Sequence, residues 1–236
     1  MIVSSRKPFL IRLIIVVLSI ATLISIGFLL ILMAHPIIDA GPTPGYYSII
    51  WNQNNYIVAG GNDGLIIFDG SLSNVVFQDT SYPRVTSINW SVDGNRFATT
   101  TTIDNSIEIW DIASLEPQVP IDDIPHTSLH NVLWSPDGTK IAATGNDKSI
   151  RIWDAATYAL LHSLERHTNF VSEISWNADS SRLISGDQDG KIFIWNAATG
   201  ELESEFQSLP YLIFSLGWSP DGNQLAVSGL SENVRV

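Results

Sequence analysis

Two patterns of apolar residues divide the chain. From Leu13 to Ala34 it reads LIIVVLSIATLISIGFLLILMA, 22 residues without a charge. Beyond residue 45 the apolar positions alternate with polar ones instead. Ile49/Trp51, Ile88/Trp90, Val132/Trp134, Ile174/Trp176 and Phe214/Leu216/Trp218 stand two apart, the spacing that places side chains on one face of a strand. Turn-forming clusters follow the last four of these at once: SVDG, SPDG, NADS and SPDG. A second strand comes next, such as KIAAT at 140–144, then a tight turn such as GNDKS at 145–149 or GDQDG at 186–190. A third strand ends in Trp-Asp, and a fourth, as in ALLHSL at 159–164, completes the set. The pattern predicts an all-β fold with four short antiparallel strands per unit.

These units repeat. The tryptophans 51, 90, 134, 176 and 218 are spaced by 39, 44, 42 and 42 residues, and a second series, Phe68, Trp110, Trp153 and Trp195, follows them by 17 to 20. Two interleaved registers at such a period are the signature of an array or a propeller, each unit one four-stranded blade. The best units are HTNFVSEISWNADSSRLISGDQDGKIFIWN (His167 to Asn196) and HTSLHNVLWSPDGTKIAATGNDKSIRIWD (from His126). In these residues the chain resembles the WD-repeat β-propeller family, of bacterial type, over about residues 46–236.

The resemblance implies a structural tetrad in the best unit, formed by His167, Ser185, Asp189 and Trp195. The unit ending at Trp153 offers His126 and Asp147 but has Ala143 where Ser or Thr is expected; the unit ending at Trp110 offers Asp104 with Thr99 or Thr100, and Ser81 where His belongs. Pro42 and Leu209 hold the His position in the first and last units. The set in the best unit mimics a Ser-His-Asp triad. Ser185, however, lies mid-strand in LISG rather than on a GxSxG elbow, and a nucleophile needs an exposed oxygen and oxyanion donors. A structural role is therefore expected and no catalytic residue is assigned. The Asp-Gly turns lack the further oxygen ligands and distal Glu of a calcium loop, so no metal or other cofactor is expected. Asn89-Trp90-Ser91 fits a glycosylation triplet but centres on a tryptophan expected to be buried.

The N-terminal apolar run changes the picture of where the repeats reside. A 22-residue helix spans about 33 Å, enough for a bilayer core of roughly 30 Å, and a signal peptide's apolar region is normally shorter. Residues 1–12 are read as a basic cytoplasmic N-terminus, 13–34 as a transmembrane helix, 35–45 as a Pro/Gly linker and 46–236 as the repeat domain; a cleaved signal peptide is the alternative for the apolar run. Arg6, Lys7 and Arg12 precede the span, which predicts a cytoplasmic N-terminus and an extracytoplasmic repeat domain. Past residue 36 all 24 acids face only 9 of the 12 bases, a field that repels phosphate backbones and argues against nucleic acid. The absence of Cys removes disulfides, thiolate metal sites and Cys nucleophiles.

SENVRV, residues 231–236, overlays the DKSIRI of the third unit, so the chain contains four blades and about two-thirds of a fifth. It is expected to be a fragment of a longer protein; closure by self-association, by a partner's blades, or as a five-bladed ring are the alternatives. The function expected by resemblance is a membrane-anchored, non-enzymatic scaffold that binds a protein or peptide partner. Arg84, Phe170 and Leu212, three residues past the His position, are its candidate contacts, with packing between blades as the competing role for Phe170 and Leu212. A sensor or accessory segment of a larger membrane protein is the second reading, and a propeller hydrolase or carbohydrate-binding protein the third.

Overall fold

The structure, a computed structural model, describes residues 45–70, 74–81, 84–102, 106–118, 120–121, 128–206, 209 and 212–229. The expected membrane helix at 13–34 and most of the linker fall outside these residues, as do Asp104 and His126. Among the described residues no helix is long and apolar enough to cross a membrane.

The described strands form five antiparallel sheets, each a simple meander. The first is β1 (Tyr46–Trp51), β2 (Ile57–Gly61), β3 (Gly64–Phe68) and β4 (Val75–Asp79). The second is β5 (Val85–Trp90), β6 (Arg96–Thr101), β7 (Ile107–Asp111) and β8 (Glu116–Pro117). The third is β9 (Leu129–Trp134), β10 (Lys140–Gly145), β11 (Ile150–Asp154) and β12 (Leu160–Leu164). The fourth is β13 (Val171–Trp176), β14 (Arg182–Asp187), β15 (Ile192–Asn196) and β16 (Leu202–Phe206), and the fifth holds β17 (Ile213–Trp218) and β18 (Leu225–Gly229). These are the antiparallel units that the alternation and turn clusters predict, consistent with propeller blades.

The core lies between the sheets. Val58 and Ile67 of the first sheet pack with Val85, Ile88, Phe97 and Trp110 of the second. Ala98, Ile107 and Ile109 of the second pack with Val132, Trp134, Ile141 and Trp153 of the third. Ala142, Ile150 and Ile152 continue to Ile174, Trp176, Phe193 and Trp195, and Ile184, Ile192 and Ile194 to Ile213, Leu216 and Val227. Neighbours along a strand therefore serve two different interfaces, as a period of two requires. The second strands of the first four sheets are buried on both faces and lose the polar alternation of a half-exposed strand, while the outermost strands, such as Leu160–Leu164, are largely exposed. Each sheet is buried by its neighbours. In β1, which has no described sheet before it, Ile49 is 54% exposed, against 3% for the matching Ile88.

The turn clusters close on themselves. Ser135 Oγ donates to Asp137 Oδ1 at 2.6 Å, Asp137 Oδ1 accepts the Thr139 amide at 2.9 Å, and Lys140 N donates to Ser135 Oγ at 2.9 Å. The same pattern recurs at Ser91-Asp93 and Ser219-Asp221. Gly94, Gly138 and Gly222 take φ of 68°, 72° and 70° in these turns, values at which a Cβ is strained. The hydrogen bond from Ser91, with the Asn95 amide, holds the Asp93 carboxyl below its ordinary range. Among the described residues no cluster of His, Cys, Asp and Glu is arranged to hold a metal.

Candidate functional site

In the fourth sheet the tetrad forms around a different aspartate from the one expected. His167 Nδ1 lies 2.8 Å from Asp187 Oδ2, and its Nε2 lies 2.7 Å from Ser185 Oγ. Trp195 Nε1 donates to the same Ser185 Oγ at 2.8 Å. A carboxylate only accepts and an indole N–H only donates. Every donor finds an acceptor if Nδ1–H points to Asp187 and the serine hydroxyl to Nε2. Asp187 Oδ1 also accepts the amides of Asp189 and Lys191, each at 2.9 Å. Asp187 replaces Asp189 because residues 185 and 187 share a face of β14, whereas Asp189 lies past the strand end. Asp189 is exposed and accepts from Asn169 Nδ2 at 2.8 Å.

The Ser185–His167–Asp187 linkage has the distances of a catalytic triad. Ser185 is 0% exposed, however, as are the side chains of His167 and Asp187, and the indole N–H occupies the oxygen. No substrate carbonyl reaches it. What the network does is join the loop before β13 to β14 and β15 through groups that are costly to leave unpaired.

The other sheets keep fragments of this arrangement. Trp110 Nε1 donates to Thr99 Oγ1 at 3.1 Å; Thr100, on the opposite face, instead contacts Thr86 Oγ1 at 3.0 Å. In the third sheet Trp153 is buried near Ala143, and Gly145 stands where β14 has Asp187. Asp147, two residues on, corresponds to Asp189 and binds Arg151 Nη2 at 2.5 Å and Ser149 Oγ at 2.7 Å. Burial alone would raise Asp147, but the hydrogen bonds from Arg151 and Ser149 outweigh it and hold the carboxyl low.

A feature absent from the sequence-based expectations recurs at the start of each of the five described inner strands. The pairing with the second strand shifts between Tyr46 and Ser48, Val85 and Ser87, Val171 and Glu173, and Ile213 and Ser215, and in the third sheet between Thr144 and Gly145 opposite Leu129–Asn131. The bulge leaves Tyr47, Thr86, His130, Ser172 and Phe214 outside the regular register, re-aiming their side chains. Phe214 is consequently not on the face of Leu216 and Trp218, as the alternation predicts. It is 54% exposed, and Ile213 is buried in its place. The signal was available: Val85/Ile88/Trp90, Leu129/Val132/Trp134 and Val171/Ile174/Trp176 are spaced three and then two.

The bulge residues divide by role. Thr86 Oγ1 donates to Leu129 O at 3.2 Å and Ser172 Oγ to Ile213 O at 2.7 Å, each tying one inner strand to the next. Tyr47, 59% exposed, donates to Asn62 Oδ1 at 2.7 Å. His130 meets Asn146 Oδ1 at 2.7 Å and packs edge-on against the Phe170 ring at 4.6 Å; burial pushes its pKa down despite that bond. The candidate contacts Arg84, Phe170 and Leu212 immediately precede the buried Val85, Val171 and Ile213 and so flank the same rim. Arg84 is exposed with φ of 60°, while Phe170 and Leu212 are half-buried. One step inward, Ser87 Oγ donates to Asn131 Oδ1 at 3.3 Å and Asn131 Nδ2 to Glu173 Oε1 at 2.8 Å, a polar chain across three inner strands. Desolvation pushes Glu173 up to about 7, against the hydrogen bonds from Asn131 and the Ile174 amide.

The WD domain, G-beta repeat family model matches residues 73–111, 121–154 and 158–196, segments that hold the first three strands of the second, third and fourth sheets, the first and last of them preceded by the outermost strand of the sheet before. Cell division cycle 20.4, cofactor of APC complex, from Arabidopsis thaliana is 27% identical over 176 residues, covering 53% of this chain and 39% of that protein. WD repeat-containing protein 1 from Bos taurus is 26% identical over 121 residues, covering 50% and 20%. The U5 small nuclear ribonucleoprotein 40 kDa protein from Pongo abelii is 40% identical over 42 residues, covering 18% and 12%. The chain thus spans well under half the length of each of these relatives, and none of the three is bacterial, so the bacterial type expected from the sequence draws no support from them. Three matched repeats, together with these relatives and the four-stranded antiparallel units, support a WD-repeat family with propeller-type blades.

Proposed function

We propose that the chain is a protein-interaction module whose contact surface is the rim at the start of the inner strands. The observation that carries this is the contrast between framework and rim. From sheet to sheet the positions of Ile88, Val132, Ile174 and Leu216 stay aliphatic and buried. The bulge position, on the same backbone, varies from Tyr47 through Thr86, His130 and Ser172 to Phe214, and its two largest apolar members are exposed. A repeated scaffold with a variable, partly aromatic rim suits recognition of a protein surface, where aromatic anchors dominate affinity. The relatives' names are in keeping: one is a cofactor of a complex, another a protein of a ribonucleoprotein particle. The apolar run at 13–34 adds the second part of the proposal, that the module is held at a membrane with its N-terminus cytoplasmic.

The test is differential capture with the tagged full chain in detergent. Proteins retained by the wild type are expected to be lost with Tyr47→Ala/Phe214→Ala and kept with Asn223→Ala, a substitution at the opposite end of the strands. An identical set of proteins on all three would defeat the rim as the binding surface. Retention of the chain in membranes after an alkaline wash tests the anchor; full release would remove that part.

A further inference from the structure

The same rim contains a cleft of about 400 Å³ lined by Asp147, Lys148, Ser149, Glu165, Arg166 and His167. It lies between the β10–β11 turn and the loop leading into β13. Its charges are not evenly paired. Asp147 is neutralised from within by Arg151, a buried residue that stands where β15 has the apolar Phe193. Glu165 Oε1 accepts from Ser163 Oγ at 3.0 Å. Lys148 and Arg166, by contrast, have no ion-pair partner among the described residues. In a chain of net charge −12, the cleft has one more unpaired cation than unpaired anion.

Both cations sit on anchored backbone and present exposed side chains. Lys148 occupies a left-handed conformation, φ 69°, at the turn position where the fourth sheet has Gly190 at φ 78°. A lysine there is strained relative to glycine, so folding gives no reason for it. Arg166 precedes His167, whose side chain is held by the two buried bonds to Asp187 and Ser185. The buried network thereby anchors the chain next to the exposed Arg166, which lines the cleft. With the aspartate nearest Lys148 already bound to Arg151, Lys148 is left available for an external anion.

We infer that this cleft binds an oxyanion, a carboxylate or phosphate on an acidic segment of a partner protein, with Lys148 and Arg166 as its direct contacts. The inference rests on the protein-interaction reading and gives that surface its ligand chemistry. Charge-assisted bonds from two cations to one oxyanion supply specificity for anionic over neutral side chains.

The experiment follows anisotropy of a labelled hexaglutamate peptide with the full chain in detergent. The wild type is expected to bind it and to ignore hexaglutamine. Lys148→Gly/Arg166→Gln should weaken binding on the order of tenfold without lowering the unfolding midpoint, since glycine suits residue 148. Competition by inorganic phosphate or O-phosphoserine at lower concentration than by glutarate would identify phosphate as the group; the reverse order would identify carboxylate, and either order supports the site. Equal affinity of wild type and double variant for each anionic probe overturns the inference, and so does the absence of binding to all of them. If capture of partners is lost with the Tyr47/Phe214 variant but unaffected by the Lys148/Arg166 variant, the cleft is dismissed while the interaction reading stands.

Discussion

Replacing Glu173 by glutamine tests whether the seam between the inner strands carries a buried ionisation. Glu173 is largely buried, takes hydrogen bonds from Asn131 and from its neighbouring amide, and no cation lowers its carboxyl. Its carboxyl rises from an ordinary 4.5 to about 7. A raised acid pKa means the folded state holds the proton more tightly than the unfolded chain. The stability this confers is complete below about 4.5 and is lost as pH rises through about 7. That rise from 4.5 to about 7 is worth about 3 kcal/mol. Glutamine keeps the shape and the accepting oxygen but cannot ionise. The Glu173→Gln variant should therefore match the wild type near pH 4.5 and exceed it by about 3 kcal/mol at pH 8 to 9. The turn aspartates, whose carboxyls lie below their ordinary range, lose their contribution only in more acid solution, outside this window. The lowered pKa of His130 gives both proteins a slope of opposite sign, which cancels in the difference. Urea unfolding of both proteins at half-unit steps from pH 4.5 to 8.5 measures it. A difference that stays constant with pH, or a wild type more stable than the variant at pH 8, would refute the argument.

Other substitutions separate the roles assigned above. Asp187→Ala removes the acceptor of His167 and of two amides at a fully buried site and should cost about 3–5 kcal/mol; Asp189→Ala, at an exposed carboxylate, should cost less than about 1 kcal/mol by urea unfolding, and equal losses would contradict the placement of the network. Gly186→Ala sets a Cβ 2.7 Å from Leu216 Cδ2 and 2.9 Å from Ile213 Cδ1, an overpacking expected to cost about 1–3 kcal/mol; an unchanged denaturation midpoint would mean the fifth sheet does not press on β14. Lys148→Gly should be neutral to about 1 kcal/mol more stable, because the left-handed position ceases to carry a Cβ, and a marked loss of stability would show that the lysine holds the turn.

The strands were legible because each carries its own local signals. The turn clusters SPDG and NADS satisfy their own backbone groups within five residues, so they read the same in the sequence as in the fold. The positions of Ile88, Val132 and Ile174 must be apolar in every unit, because each packs against the sheet before it. What eluded the reading depends on register. Simple alternation puts Phe214 with Leu216, but the bulge exchanges it for Ile213, and only the three-then-two spacing of the other units reveals this. The tetrad aspartate was misplaced by two residues for a related reason. Asp187 and Asp189 flank one turn, and the one that bonds to His167 is decided by which still lies on the face of Ser185 when β14 ends.

The same logic explains why the candidate site was the least legible part. A buried position repeated in every sheet announces itself through periodicity. A rim residue is free to differ, and the polar chain Ser87–Asn131–Glu173 has a different residue type in each sheet. Its members become one network only because the inner strands lie side by side at equivalent registers, which places residues 42 to 44 positions apart within hydrogen-bonding distance. The Asp147–Arg151 pair is likewise visible only as a departure from the unit that follows, where Phe193 and Gly190 occupy the positions of Arg151 and Lys148. In a repeat protein the framework can be read from what the units share. The chemistry of recognition has to be sought where one unit breaks the pattern, at a rim position free to vary or at one where the fold itself favours another residue.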